Sequence, residues 1–156
     1  MPNITLREYN PESGALLGNV SVLNFGKIKA GASSRVKVVD IAFSDVSSVS
    51  NIKLGLIGNA NLSVNPSPDA QDGNGTTANG HFGIENTAAF DAAKASAPLS
   101  RHFAGVNTTI TATDVNNVAI SKRSSFITNY IYLDIETSST NVDAGNGAYK
   151  IFFDYS

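Results

Sequence analysis

The chain contains 156 residues, of which 15% are charged, none is cysteine, and the formal net charge is −2. A single domain spanning residues 1–156 is the simplest arrangement for this length. The lack of cysteine excludes disulfides, thiolate metal sites and cysteine nucleophiles. The few, scattered Lys and Arg residues argue against a nucleic-acid partner, which would need a basic surface.

The N-terminal stretch does not have the pattern of a targeting segment. Residues 1–14 show no basic region followed by an apolar run, so we predict no signal peptide. No window of the sequence approaches about 18 consecutive apolar residues, which a membrane-spanning helix would need. We therefore expect a protein that is made in the cytoplasm and has no membrane partner.

The first part of the chain consists of short extended segments separated by turns. Ile4 and Leu6 alternate with polar residues and predict a first strand. Residues 10–14 (NPESG) are a strong turn signal, and residues 16–25 return as a second extended segment. Together they predict an N-terminal hairpin.

The longest predicted strand follows and ends at Phe43. Val36 and Val38 have even numbers, whereas the next inward residues, Ile41 and Phe43, have odd numbers. A strand alternates with a period of two, so this change of parity predicts a β-bulge near residues 38–40. A further strand places three apolar side chains on one face: Ile52, Leu54 and Leu56.

A long insertion, about residues 66–105, interrupts this pattern. Residues 66–80 are rich in Pro, Gly, Asn and Asp and predict an exposed loop. Residues 81–85 predict a short strand. Residues 86–95 are alanine-rich, begin with an Asn-Thr pair that can cap a helix, and predict the one helix of the chain.

The last third of the sequence predicts two more strands. Residues 126–136 place Ile131, Leu133 and Ile135 on one face, and residues 149–155 alternate in the same way. We expect these two strands to form a C-terminal hairpin. The chain as a whole then predicts an all-β, immunoglobulin-like antiparallel β-sandwich with one long loop and short-helix insertion.

The outward face of these last strands carries three aromatic residues, Tyr130, Tyr132 and Phe152. An exposed sheet face is usually polar, so these rings need cover. One alternative is that the insertion covers them. The other is that they contact another subunit, since Tyr and Phe are favoured at interfaces. Both alternatives remain open from the sequence.

No motif predicts catalysis or metal binding. His81 and His102 occur in no metal-binding spacing, and no GxSxG elbow is present. Residues 69–75 resemble an oxygen-rich calcium loop but lack its ligand spacing, and turn chemistry explains their composition. Three acidic residues could pair as in a glycosidase, although cross-strand pairing with Lys150 explains them as well: Asp134, Glu136 and Asp154. We therefore predict no enzymatic activity, no cofactor and no metal.

Residues 22–56 contain the motifs Leu23-Asn24-Phe25-Gly26 and Lys29-Ala30-Gly31, followed by the strand from Ser34 to Phe43. This order resembles the first half of immunoglobulin-like modules. The chain also resembles, in its cysteine-free, Ser/Thr/Asn/Gly-rich strands, the small accessory proteins of tailed bacteriophage virions, such as capsid decoration, neck or baseplate components.

This resemblance implies a non-enzymatic structural protein located in the virion. We expect a homo-oligomeric capsid decoration or stabilising protein that binds the major capsid protein lattice. The alternatives are a tail, neck or baseplate component that binds tail proteins, and a carbohydrate-binding or adhesive module that uses exposed tyrosines such as Tyr149. The residues predicted to contact the partner are Tyr130, Tyr132, Phe152, His81, Phe82, His102 and Phe103, together with the loop at residues 66–80.

Overall fold

The computed structural model describes residues 1–29, 31–58, 80–96, 99, 102–104, 119–137 and 147–156. These residues form antiparallel strands and no helix. The predicted all-β antiparallel class is therefore confirmed. No described segment is a helix that could cross a membrane. The strands are β1 (Asn3–Tyr9), β2 (Leu16–Val20), β3 (Lys37–Ser44), β4 (Val49–Gly58), β5 (Gly80–Thr87), β6 (His102–Ala104), β7 (Lys122–Ser124), β8 (Ile127–Thr128), β9 (Tyr130–Thr137) and β10 (Gly147–Tyr155).

The described strands form two sheets. Sheet A has the order β2-β1-β3-β9-β5-β6, with β8 also pairing with β3 and β7 pairing with β8. Sheet B consists of β4 and β10. The predicted C-terminal hairpin is wrong, because β9 and β10 lie in different sheets. Alternation defines the inward face of each strand but not its partner, and β10 pairs with β4, about a hundred residues earlier in the chain.

The core lies between the two sheets and confirms the sandwich. Both sheets contribute fully buried side chains, and the ring centroids of Phe43 in sheet A and Phe153 in sheet B are 4.9 Å apart. Burying one large apolar side chain contributes about 1.5–3 kcal/mol to the stability of the fold. The buried core residues are Val39, Ile41, Phe43, Val49, Ile52, Leu54, Ile84, Ile120, Ile131 and Leu133.

Strand β3 is buried on both faces, and this explains its change of parity. Its odd-numbered apolar residues, from Val39 to Phe43, pack between the sheets, whereas Val36 and Val38 pack on the opposite, outer face of sheet A. β3 pairs with β1 without a register shift. The bulge predicted at residues 38–40 is therefore wrong, because residues of the two parities serve two different clusters.

A bulge does occur on the strand beside β3. Two pairs bracket it, Val39↔Ile131 and Ala42↔Ile127. Between these pairs β3 advances three residues while its neighbour advances four, so one extra residue is inserted at the β8–β9 junction. The Thr128 hydroxyl accepts the backbone N–H of Ile41 at 2.9 Å. A side-chain oxygen thus takes the place of a ladder carbonyl where the strand is interrupted.

The outer face of sheet A is covered by the chain itself. Residues 88–96 and Leu99, called here the covering segment, place Phe90, Ala95 and Leu99 against a second apolar cluster that includes Tyr9 and Tyr132. At Val36 and Val38 the outer face of β3 therefore packs against an apolar layer instead of solvent. Sheet A is the middle layer of the described structure at this position.

The predicted helix over residues 86–95 is wrong. β5 continues to Thr87, which pairs with Tyr130, and residues 92–95 form a turn. The N–H of Lys94 donates to the carbonyl of Asp91 at 3.1 Å, and that of Ala95 to Ala92 at 3.2 Å. Residues 86 and 87 pair with β9 and therefore cannot begin a helix. The residues that remain are too few to form a stable helix.

Gly14 provides a direct test of this cover. It lies in the β1–β2 turn with φ +74°, and a Cβ atom there would lie 2.8 Å from the Phe90 ring. We expect Gly14→Ala to lower the free energy of unfolding by about 2–4 kcal/mol, from backbone strain and the ring clash together. Urea denaturation measures this change.

The matched control is Gly26→Ala. Gly26 has φ +73°, but nothing lies within 4 Å of a Cβ atom there, so only the backbone strain of about 1–2 kcal/mol is expected. Adding Phe90→Ala should relieve part of the Gly14→Ala effect. Equal destabilisation by the two alanine variants would contradict the contact between Gly14 and Phe90.

Candidate functional site

The structure does not bring the predicted contact residues together on one surface. Tyr130 and Tyr132 lie on the outer face of sheet A, whereas Phe152 is half-buried in sheet B, paired with Lys53. The other four predicted contact residues belong to the β5–β6 pair at the far edge of sheet A: His81, Phe82, His102 and Phe103. Their backbone pairs are His81↔Ala104, Phe82↔Phe103 and Gly83↔His102.

Tyr132 is completely buried, with 0% of its surface exposed. Its hydroxyl accepts the backbone N–H of Asp91 at 2.9 Å and lies 2.8 Å from the hydroxyl of Thr87. The ring packs in the cluster that contains Leu99. The alternative in which the chain covers its own aromatic face therefore describes Tyr132, whose ring is not available to a partner or a sugar in this structure.

Tyr130 is half-buried and connects the aromatic cluster to a group of charged side chains. Its ring centroid is 5.0 Å from that of Tyr9 and 6.0 Å from that of Phe90, both in edge-to-face geometry. The guanidinium carbon of Arg123 lies 4.0 Å from the centroid of Tyr130. At this distance the cation–π attraction helps to hold the Arg123 head group over the ring.

The centre of the charged group is Asp40, whose side chain is 0% exposed. Arg7 Nε and Nη2 donate to Asp40 Oδ1 and Oδ2, each at 2.7 Å, and the Tyr9 hydroxyl donates to Oδ2 at 2.7 Å. Arg123 Nη2 also donates to Oδ2. Together these four residues are called the Asp40 cluster.

The strand pairing positions most of this cluster. Arg7 and Asp40 are direct cross-strand partners in β1 and β3, and Tyr9 lies two residues further along the same face. Arg123 reaches the carboxylate from β7, which joins sheet A through β8. The cluster therefore ties three parts of the sheet to one buried anion.

The neighbouring charges change the acid–base properties of the cluster. The hydrogen bond to Asp40 is the main reason that the pKa of Arg7 is raised. Burial is the main reason that the pKa of Tyr9 is raised, and its hydrogen bond to Asp40 raises it further. Both groups therefore keep their protons, with Arg7 charged and Tyr9 neutral, over the whole physiological range.

The Asp40 cluster was not predicted from the sequence. Asp40 stands inside an apolar run with Val39 on one side and Ile41 on the other, and an acid in such a position signals a buried, paired carboxylate. Its partners carry no such signal. Arg123 is 83 residues away in the chain, and nothing in its local sequence indicates a partner.

Two further ion pairs support the same sheet. Lys37 Nζ lies 2.8 Å from Glu8 Oε1, and Lys94 Nζ lies 2.8 Å from Glu85 Oε2. The hydrogen bond to Glu85 is the main reason that the pKa of Lys94 is raised. The second pair connects the covering segment to β5 and helps to hold it on the sheet.

The remaining candidates from the sequence are separated or lie outside the described residues. Asp134 is buried and accepts the N–H of Leu99 at 3.0 Å. Asp154 belongs to the other sheet and accepts a hydrogen bond from Asn51 at 2.6 Å. Two further candidates lie outside the described part. They are residues 66–79 of the predicted 66–80 loop, which include the possible calcium loop at residues 69–75, and the side chain of Tyr149. Within that part, no three His, Asp or Glu side chains are grouped to hold a metal ion.

Comparisons with known proteins give no family assignment. Nothing matches this chain among protein-family models or among curated protein sequences. Its function must therefore be argued from the residues and the geometry described above.

Proposed function

We propose that this chain is a non-enzymatic structural protein of a tailed bacteriophage virion, where it binds the major capsid protein lattice as a decoration or stabilising protein. The sequence resemblance to virion accessory proteins supports this proposal. So does the all-β sandwich, a rigid scaffold that can present a contact surface. The observation that carries the proposal is the distribution of exposed apolar side chains.

These side chains are concentrated in the N-terminal hairpin. Of the seven large apolar side chains that are exposed in the described part of the chain, five lie in β1, β2 and their flanks. They are Met1, Ile4, Leu16, Leu17 and Val22. Contiguous exposed apolar side chains are typical of a surface that binds another protein, and Leu16 and Leu17 are such neighbours in β2.

The lack of charge around β2 favours an apolar partner surface over a charged one. No charged residue occurs between Glu12 and Lys27, a stretch that includes all of β2. Leu16 and Leu17 are 55% and 60% exposed. Binding through such a surface would depend on apolar area and only weakly on salt.

β2 is an edge strand of sheet A, but it is not a regular edge. The register shifts between Glu8 and Tyr9, which leaves Leu17 as an extra residue opposite β1, and Gly18 has φ +140°. Bulges of this kind oppose the addition of another strand. Contact through the leucine side chains therefore fits better than open-ended sheet growth, and equivalent copies would occupy the repeated positions of a lattice.

Density-gradient fractionation of virions from the phage that encodes this chain tests the proposal. The protein should sediment with filled heads, and the double variant Leu16→Ser, Leu17→Ser should remain with free protein while keeping its β-sheet circular dichroism. Tyr155→Ser is the control, because Tyr155 is 57% exposed but lies in β10. Sedimentation with tails would favour the tail alternative, and wild-type protein that remains unbound would contradict both.

A further inference from the structure

The Asp40 cluster contains more positive charge than its buried anion requires. One carboxylate, Asp40, receives two guanidinium groups, from Arg7 and Arg123, and the hydroxyl of Tyr9. No other carboxylate contacts either arginine in the described part of the chain. With Tyr9 neutral, the cluster carries one unit of positive charge in excess.

The two arginine side chains reach solvent, whereas the carboxylate between them does not. The Asp40 side chain is 0% exposed, whereas the side chains of Arg7 and Arg123 are 22% and 24% exposed. An anion that approaches from solvent therefore meets the guanidinium groups first, with the carboxylate beneath them. The position is on the same face of β1 as Tyr9, next to the cross-strand neighbour Asn19.

The arginines also retain hydrogen-bond donors. Arg7 uses Nε and Nη2 for Asp40, and in the described structure its Nη1 donates to no side chain. Arg123 uses Nη2 for Asp40. A guanidinium group has five N–H donors in a planar fork that matches the geometry of a carboxylate or a phosphate.

Both head groups are held in place before any ligand binds. Two hydrogen bonds at 2.7 Å fix Arg7 against Asp40, and the Tyr130 ring lies 4.0 Å from the guanidinium carbon of Arg123. Ordering two free arginine side chains would oppose binding, and these contacts already restrict both side chains in the folded protein.

We propose that Arg7 and Arg123 form a binding site for one oxyanion, a carboxylate or a phosphate group, on the outer face of sheet A. The oxyanion accepts hydrogen bonds from N–H groups of both arginines that do not bind Asp40, and it neutralises the excess charge. Asp40 positions the two cations and makes no contact with the ligand. This site is independent of the virion proposal, because it rests on the Asp40 cluster and not on the exposed apolar side chains of the N-terminal hairpin.

Nuclear magnetic resonance of the arginine side chains tests this site in the intact chain. Inorganic phosphate and acetate are titrated separately at constant ionic strength against chloride, and the Nε–Hε resonances of Arg7, Arg123 and the exposed Arg35 are followed. We expect saturable shifts at Arg7 and Arg123 and no saturable shift at Arg35. The ion that binds more tightly identifies the source as a phosphate or a carboxylate.

Matched variants separate the site from general charge effects. Arg123→Gln should weaken binding about tenfold or more, since it removes charge-assisted hydrogen bonds, and Arg35→Gln should leave it unchanged. If Arg123→Gln does not fold, the wild-type titration still decides, because it resolves each arginine separately. No saturable shift with either ion, or equal shifts at Arg35, would overturn the proposal.

Discussion

Replacing Asp40 with Asn is expected to lower the free energy of unfolding by about 2–4 kcal/mol. The variant keeps the size of the side chain but removes the negative charge that Arg7 and Arg123 share. It also leaves both cations beside an amide that can accept fewer hydrogen bonds. The arginines reach solvent, so the expected loss is smaller than for a fully buried pair. Urea denaturation at neutral pH measures it.

Glu12→Gln is the control for this prediction. Glu12 lies exposed in the β1–β2 turn, and removing its charge should change stability by no more than about 0.5 kcal/mol. Similar small changes in the two variants would mean that Asp40 is not buried and paired. If the slope of the unfolding free energy against urea concentration is unchanged, both variants unfold to comparable states.

Tyr132→Ser should lower the free energy of unfolding by about 3–5 kcal/mol, as expected for removing a large buried ring. The ring is 0% exposed and packs between sheet A and the covering segment. Tyr132→Phe should lower it by about 1–2 kcal/mol, because the backbone N–H of Asp91 then loses its acceptor. Thermal or urea unfolding of the two variants measures both effects.

Phe152→Ser provides the comparison, because Phe152 is only half-buried and lies in sheet B. Its effect should be clearly smaller than that of Tyr132→Ser. An interface role for Tyr132 predicts the reverse: a variant that folds with normal stability but no longer assembles. Wild-type stability in Tyr132→Ser would therefore contradict the burial of this ring.

The alternation of apolar residues was enough to predict individual strands and their inward faces. Ile131, Leu133 and Ile135 are buried as predicted, and so are Ile52 and Leu54. The turn at residues 10–14 joins β1 and β2 as predicted. These features depend on residues close together in the chain, which is where a sequence pattern carries information.

Features that depend on distant residues were not predictable in this way. The parity change in β3 has two explanations, a bulge or burial on both faces, and only the covering segment decides between them. A similar parity change between Val49 and Ile52 does reflect a bulge, where Asn51 adopts φ +52°. The sequence contains the same signal in both strands, so it cannot distinguish the two causes.

The candidate site was the least predictable part. The aromatic residues Tyr130 and Tyr132 were located on the correct face, but the sequence left open what covers them. The charges of the Asp40 cluster come from three separate strands. Its geometry depends on how β1, β3 and β7 assemble, and a local pattern does not contain that information.

The covering segment closes the part of the outer face of sheet A that carries Tyr132. A nuclear Overhauser spectrum measures it most directly, through contacts of the Phe90 ring. The structure predicts cross-peaks from this ring to the α protons of Gly14 and to the ring of Tyr130, together with slow hydrogen exchange at the amide of Asp91. Absence of both cross-peaks, with rapid exchange at Asp91, would contradict the claim and return Tyr132 to the surface.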